Sequence, residues 1–252
     1  MKNKIYNVDS RTEIINTPFN VKQLKEVIET NALDLFGIKI IVNNYYYEED
    51  NIDYIEALGV DENYQLVIFE YRIGKMTRTI RKGLMQIDYI KKHGSQFKML
   101  CNERVGIDNS RSINFNPRLI VFGDHFHKYD YESIKALPYN VELYEVSFFE
   151  NNVLINKTYV SHQTDLQGLS ISIEGIDKDL FLELRNYIFA LGEEVVEYGM
   201  KNVISYRRVF NFVYVYFADG IHLCVQGKDI LIDSYNMFDR CKKMIEEEYD
   251  KN

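Results

Sequence analysis

A chain of 252 residues that is 46% hydrophobic can bury one large core or two modest ones, and its formal charge of −8 excludes a protein held on nucleic acid by bulk positive charge. No apolar run approaches the ~20 residues of a membrane-spanning helix, and three cysteines, Cys101, Cys224 and Cys241, are too few and too far apart for a disulfide framework or a zinc knuckle. No signal-type apolar core follows Met1-Lys2-Asn3-Lys4-Ile5, so a cytoplasmic location is expected; with no Trp, twenty Tyr and fifteen Phe supply the aromatic volume.

In chain order, residues 20–30 read as a helix, with Asn20 as N-cap and Val21, Leu24 and Ile28 along one side. Gly37 opens a strand over 38–47, and Tyr46-Tyr47-Glu48-Glu49-Asp50 reads as an acidic loop tip. Strands follow at 55–60 and 66–69, joined by a hairpin through Asp61 to Tyr64. A helix over 79–92, with Ile80, Leu84 and Ile87 as its apolar stripe, closes at His93-Gly94. Pro117 and Gly123 bound a strand at 118–122. Residues 131–137 make a short helix stopped by Pro138, and 141–149 return as strand. This alternation predicts an α/β fold with a mixed sheet flanked by helices.

Residues 161–178 are polar and contain glycine, which predicts a linker between a domain over 1–160 and a small α+β domain over 179–252. In the second domain a helix over 179–191 sets Leu180, Leu184, Tyr187 and Leu191 in register. Residues 212–217 and 221–225 form a hairpin across Ala218-Asp219-Gly220, and a last helix covers 235–249. Arg207-Arg208, between Tyr206 and Phe212, serve either a phosphate or an intramolecular salt bridge.

The chemistry concentrates in the first domain. Glu56 and Glu70 stand fourteen positions apart, the second at the end of the apolar run Leu66-Val67-Ile68-Phe69 and two residues before Arg72. A hairpin sets them side by side across a strand pair. Two adjacent carboxylates repel, and a hard divalent cation such as Mg²⁺ or Mn²⁺ holds them together. Arg72 and Lys82 are the candidate cations for charge that builds on a phosphate during hydrolysis.

This pattern resembles the PD-(D/E)xK superfamily. The strings Asp34-Leu35-Phe36-Gly37-Ile38-Lys39-Ile40, Glu56-Ala57-Leu58-Gly59-Val60-Asp61-Glu62-Asn63, Val67-Ile68-Phe69-Glu70-Tyr71-Arg72 and Gly83-Leu84 resemble a bacterial family of particular architecture. In it an endonuclease-like N-terminal domain, similar to archaeal-type structure-specific endonucleases, precedes a small C-terminal domain of unknown function. Pro117-Arg118-Leu119-Ile120, Asn140-Val141-Glu142-Leu143 and Tyr206-Arg207-Arg208-Val209-Phe210-Asn211-Phe212 extend the likeness over most of the chain. The resemblance implies a restriction-endonuclease-like fold, with Glu56 and Glu70 as ligands of Mg²⁺ or Mn²⁺.

The departures bear on activity. The motif's aspartate is Glu56 and its lysine is Arg72, which stays protonated and suits gripping a phosphate better than activating water. An acid expected after the first core strand is Asn44, a helix glutamine is Lys82, and an arginine is Tyr54. Helical phase turns Lys82 away from the Ile80, Leu84 and Ile87 stripe, so it reads either as a solvated residue or as a catalytic lysine relocated to the helix.

Residues 72–98 carry eight basic residues against one acid, Asp88. Lys75, Arg78, Arg81 and Lys82 are the expected phosphate contacts, on a basic face beside the carboxylates. His125-Phe126-His127 sets two imidazoles on one face of an extended segment, as metal ligands would stand. The segment nevertheless reads as a plain loop entering a helix, and the resemblance gives it no metal.

The expected function is therefore binding of DNA or RNA, branched or single-stranded, at a degenerate nuclease-like site with weak or no cleavage. The alternatives are an active Mg²⁺-dependent endonuclease using Lys82, and a protein-binding adaptor, which the acidic overall charge favours.

Overall fold

The structure, a computed structural model, describes residues 4–47, 54–74, 78–106, 113–161, 178–199 and 203–252. Lys75, the loop-tip acids Glu48, Glu49 and Asp50, and the linker interior at 162–177 lie outside the described residues. The chain divides into two compact units, Met1–Gln163 and Thr164–Asn252.

The first unit begins with a small hairpin, β1 (Ile5–Asn7) and β2 (Thr12–Ile14), and a short strand β3 (Asn16–Thr17). Helix α1 (Val21–Thr30) follows, started by a capping box in which Asn20 accepts from the Gln23 N–H and Gln23 accepts from the Asn20 N–H, each at 3.0 Å. Next come α2 (Ala32–Phe36), β4 (Ile38–Tyr46), β5 (Tyr54–Asp61) and β6 (Gln65–Arg72). Then come α3 (Thr79–Lys92), α4 (Gly94–Val105), β7 (Asn114–Gly123), α5 (Lys128–Lys135), β8 (Val141–Phe149) and β9 (Asn152–Ser161).

Strands β3 to β9 form one sheet of order β3-β8-β7-β6-β5-β4, with β9 also paired to β8. Pairs β4/β5, β5/β6 and β8/β9 are antiparallel, whereas β6/β7 and β7/β8 are parallel. The unit is therefore a mixed α/β layer structure, and two cores cover the two faces of its sheet. On β6, Leu66 and Ile68 join one core with α3 and α4, while Val67, Phe69 and Tyr71 join the other with α1 and α2. This period-2 alternation carries Glu70 and Arg72 on the α3 side.

Two readings of this region change. Helix α4, where the sequence suggests no element, starts one residue after α3 is capped at His93, and it buries only Phe97 and Cys101 fully. Helix α3 also sits in a different phase, burying Thr79, Gly83, Gln86, Ile87 and Ile90, with Ile80 and Leu84 at the flank. The reason is close approach at Gly83, where a Cβ would stand 2.5 Å from both δ-carbons of Leu119 on β7. Gly83→Val is accordingly expected to lower stability by roughly 1–3 kcal/mol through overpacking, measured by urea melts.

The second unit comprises α6 (Lys178–Ala190), β10 (Val196–Gly199), β11 (Val203–Arg207), β12 (Asn211–Phe217), β13 (Ile221–Val225), β14 (Lys228–Ile232) and α7 (Tyr235–Asp250). Its strands form an antiparallel meander in sequence order. Ile221, Leu223 and Val225 alternate into one core shared with Leu180, Leu184 and Ile188 of α6 and with Phe238, Cys241 and Ile245 of α7. Arg207 is buried over the Tyr198 ring and Arg208 pairs with Glu194 at 3.0 Å, so both arginines are engaged within the unit.

Candidate functional site

Register builds the site. Strands β5 and β6 pair Ala57 with Phe69, and the same register continued by one residue sets Glu56 opposite Glu70. Tyr64, at φ 57°, closes the hairpin, and the Asp61 carboxylate accepts from the N–H groups of Asn63 and Gln65, each at 3.0 Å. Asp61 and Glu142 share the buried Arg118, at 3.4 and 2.7 Å, which ties this turn to β7 and β8.

Two helices deliver lysines to the carboxylates. From α3, the Lys82 ammonium lies 3.0 Å from Glu70 Oε1 and 3.4 Å from Glu56 Oε1, bridging the pair, and it stands 4.5 Å over the Tyr54 ring. From α1, the Lys25 ammonium lies 2.8 Å from Glu56 Oε2 and donates to Asn44 Oδ1 at 3.0 Å. Gln86, one turn after Lys82, donates to Glu70 Oε1 at 2.7 Å and to the Tyr54 carbonyl at 3.0 Å. A cleft of about 720 Å³ opens beside Glu56, lined by Lys22, Lys25, Asn44 and Tyr54 among others.

The two carboxylates differ in environment. Burial raises Glu70, to about 7, against the pull of Lys82 and Gln86, and the Glu56 charge adds to the rise. Burial also pushes Glu56 upward, but the Lys25 hydrogen bond and the Lys82 and Lys25 charges outweigh it and hold Glu56 below its ordinary value. Tyr54 is pushed up to about 12 by burial and by its hydrogen bond to Glu56. A carboxylate pair split in this way is a common sign of a working site.

The rise at Glu70 has a thermodynamic consequence. Its folded pKa of about 7 lies above the ordinary 4.5, so the native state keeps a proton that the unfolded chain releases. Its contribution to stability is complete below pH 4.5 and is lost as pH rises through about 7, by up to roughly 3 kcal/mol. Urea melts from pH 4 to 8 should show this loss in the wild type, and the fall should be shallower in Glu70→Gln.

Arg72 does not join this cluster. Its guanidinium, 2% exposed as a residue, donates to Asp130 Oδ2 and to the His125 carbonyl, both at 3.0 Å, and lies 4.9 Å over the Phe126 ring. One rung beyond Glu70, Arg72 meets the loop after β7 and the start of α5, where its planar fork is held by fixed oxygens. Arg72, expected as a catalytic cation, is thus engaged by Asp130 and the His125 carbonyl.

The basic face is also divided. Arg78 and Arg81 are exposed at the first turn of α3, Lys91 lies over the Tyr139 ring at 4.9 Å, and Lys92 pairs with Asp88 at 2.6 Å. Lys82 is not a solvated helix residue, because Gly83 and Gln86 rotate the helix so that its flank overhangs Glu70. Lys25 carried no sequence signal beyond its place on an amphipathic helix. No protein family, curated protein or solved structure matches this chain.

Proposed function

We propose that the first unit is a nucleic-acid-binding domain of restriction-endonuclease-like fold, with a phosphodiester-cleaving site whose lysine has moved to α3. The succession of helix, three-stranded antiparallel meander, helix and parallel strand supports that fold. The observation that carries the activity is the Lys82 ammonium seated against both Glu56 and Glu70.

The residues fit a Mg²⁺ or Mn²⁺ ion. Glu56 and Glu70 are hard oxygen donors already sharing one cation, the ammonium, and the buried Gln86 Oε1 lacks a hydrogen-bond partner beside them. Bound there, the ion would supply Lewis acidity toward a phosphoryl oxygen. With Glu56 and Glu70 both engaged as its ligands, the ion would also lower the pKa of an attacking water. Lys82 orients that water and offsets charge on the phosphate, while Lys25 and Asn44 fix the Glu56 carboxylate. Arg78 and Arg81, at the N-terminal turn of α3, are placed to contact flanking phosphates, as Lys22 is at the cleft.

Binding without cleavage is the second reading. It is favoured by Lys25, which occupies Glu56 where the resemblance calls for another acid at Asn44. The test incubates wild type and Glu70→Ala with flapped, splayed and single-stranded DNA and matching RNA, with Mg²⁺ or Mn²⁺. Cleavage lost in the variant supports the nuclease, and salt-sensitive binding without cleavage supports the second reading. No binding at low salt overturns both in favour of a protein-binding adaptor.

A further inference from the structure

The loop joining β7 to α5 takes no part in the site described above. We propose that His125 and His127 form a separate metal site, taking one divalent ion of the zinc class through their Nε2 atoms. The two nitrogens face each other at 3.1 Å, with the rings crossed at 83°. Two lone pairs, or two N–H groups, repel at that distance, so the contact holds either one N–H···N hydrogen bond or an ion bound by both nitrogens. Two nitrogens each ~2.0–2.1 Å from a tetrahedral ion stand about 3.3 Å apart, close to the observed spacing.

The loop is fixed as a ligand clamp would be. Phe126 turns inward against the core, and alternation then sends both imidazoles outward on one side. Arg72 donates to the His125 carbonyl at 3.0 Å, the Phe126 N–H to Glu145 Oε1 at 3.0 Å and the His127 N–H to Asp130 Oδ2 at 2.8 Å. Asp124 accepts from the Gly74 N–H at 3.0 Å, and its carboxylate stands 3.6 Å from His125 Nδ1, on the side opposite the ligating nitrogen, where a carboxylate orients a metal-bound imidazole. A single N–H···N bond between solvent-facing rings competes with water and gains little from such anchoring, whereas a metal ion uses both nitrogens at once. Among the described residues no group of three or more His, Cys, Asp or Glu converges on an ion, so water or another oxygen ligand completes the coordination.

The test uses the full chain, freed of metal with a chelator. It is titrated with ZnCl₂ by calorimetry and with CoCl₂ by visible absorption, as wild type and as His125→Gln, His127→Gln, Glu70→Gln and His222→Ala. The expected result is a saturable ion whose affinity falls at least about tenfold with either loop substitution. Glu70→Gln and His222→Ala should leave it unchanged, which separates this site from the Glu56–Glu70 pair and from the second unit. Absence of saturable binding overturns the proposal. So does undiminished binding in loop variants that melt like the wild type, or binding abolished by Glu70→Gln or His222→Ala.

Discussion

Lys82→Ala is expected to reduce Mg²⁺-dependent cleavage by roughly 10²–10⁴-fold while leaving low-salt nucleic-acid binding nearly intact. The ammonium sits 3.0 Å from Glu70 and 3.4 Å from Glu56, so its loss removes the only lysine that touches both carboxylates among the described residues. The same substitution should strengthen Mg²⁺ binding, because the ammonium no longer competes for the two carboxylates. Tighter metal with slower cleavage is a pairing that general destabilisation does not produce. Arg72→Lys, by contrast, should not rescue activity, since position 72 faces Asp130 rather than the pair. Calorimetry with MgCl₂ and single-turnover cleavage of a labelled substrate measure the two effects. Wild-type cleavage by Lys82→Ala would eliminate the relocated-lysine mechanism.

The largest stability effect belongs to Arg118→Ala, expected to cost roughly 3–5 kcal/mol. Arg118 is 1% exposed and neutralises Glu142 at 2.7 Å and Asp61 at 3.4 Å. Burial pushes the Asp61 carboxyl upward even with the arginine beside it, a sign of how poorly that place solvates charge. Without the guanidinium two carboxylates are left deep in the unit, and the turn that sets Glu56 against Glu70 loses its tie to β7 and β8. Urea melts of Arg118→Ala, beside a triple variant Arg118→Leu, Asp61→Asn and Glu142→Gln, make the cause visible. The triple variant should recover much of the loss, because it removes the stranded charges together with their partner.

The carboxylate pair was legible in the sequence because its causes are local. An apolar run, a turn of Asp61, Glu62 and Asn63, and side chains alternating with period 2 are enough to bring Glu56 and Glu70 to one place. Arg72 was not legible, because its partner Asp130 lies 58 positions away on α5 and nothing near Arg72 announces it. Lys82 was left between two readings for a physical reason. Hydropathy weights Ile80 and Leu84, yet the closest packing in α3 is at Gly83, which has no side chain, and at Gln86, which is buried through its hydrogen bonds to Glu70 and to the Tyr54 carbonyl. In the second unit the amphipathic helices and the β12–β13 hairpin were readable, whereas β10, β11 and β14 were not, being short strands whose pairing depends on neighbours.

By itself, then, the sequence determined the mixed α/β class, the hairpin of β5 and β6 and the side-by-side placement of two acids, since each follows from spacing within a few residues. Only the tertiary structure decided which cations serve those acids. Lys25 and Lys82 arrive from α1 and α3 on separate helices, and Arg72 is drawn to Asp130. A long charged side chain goes to whichever fixed opposite charge lies within its reach, and that is set by helix phase and sheet register rather than by neighbours in the chain.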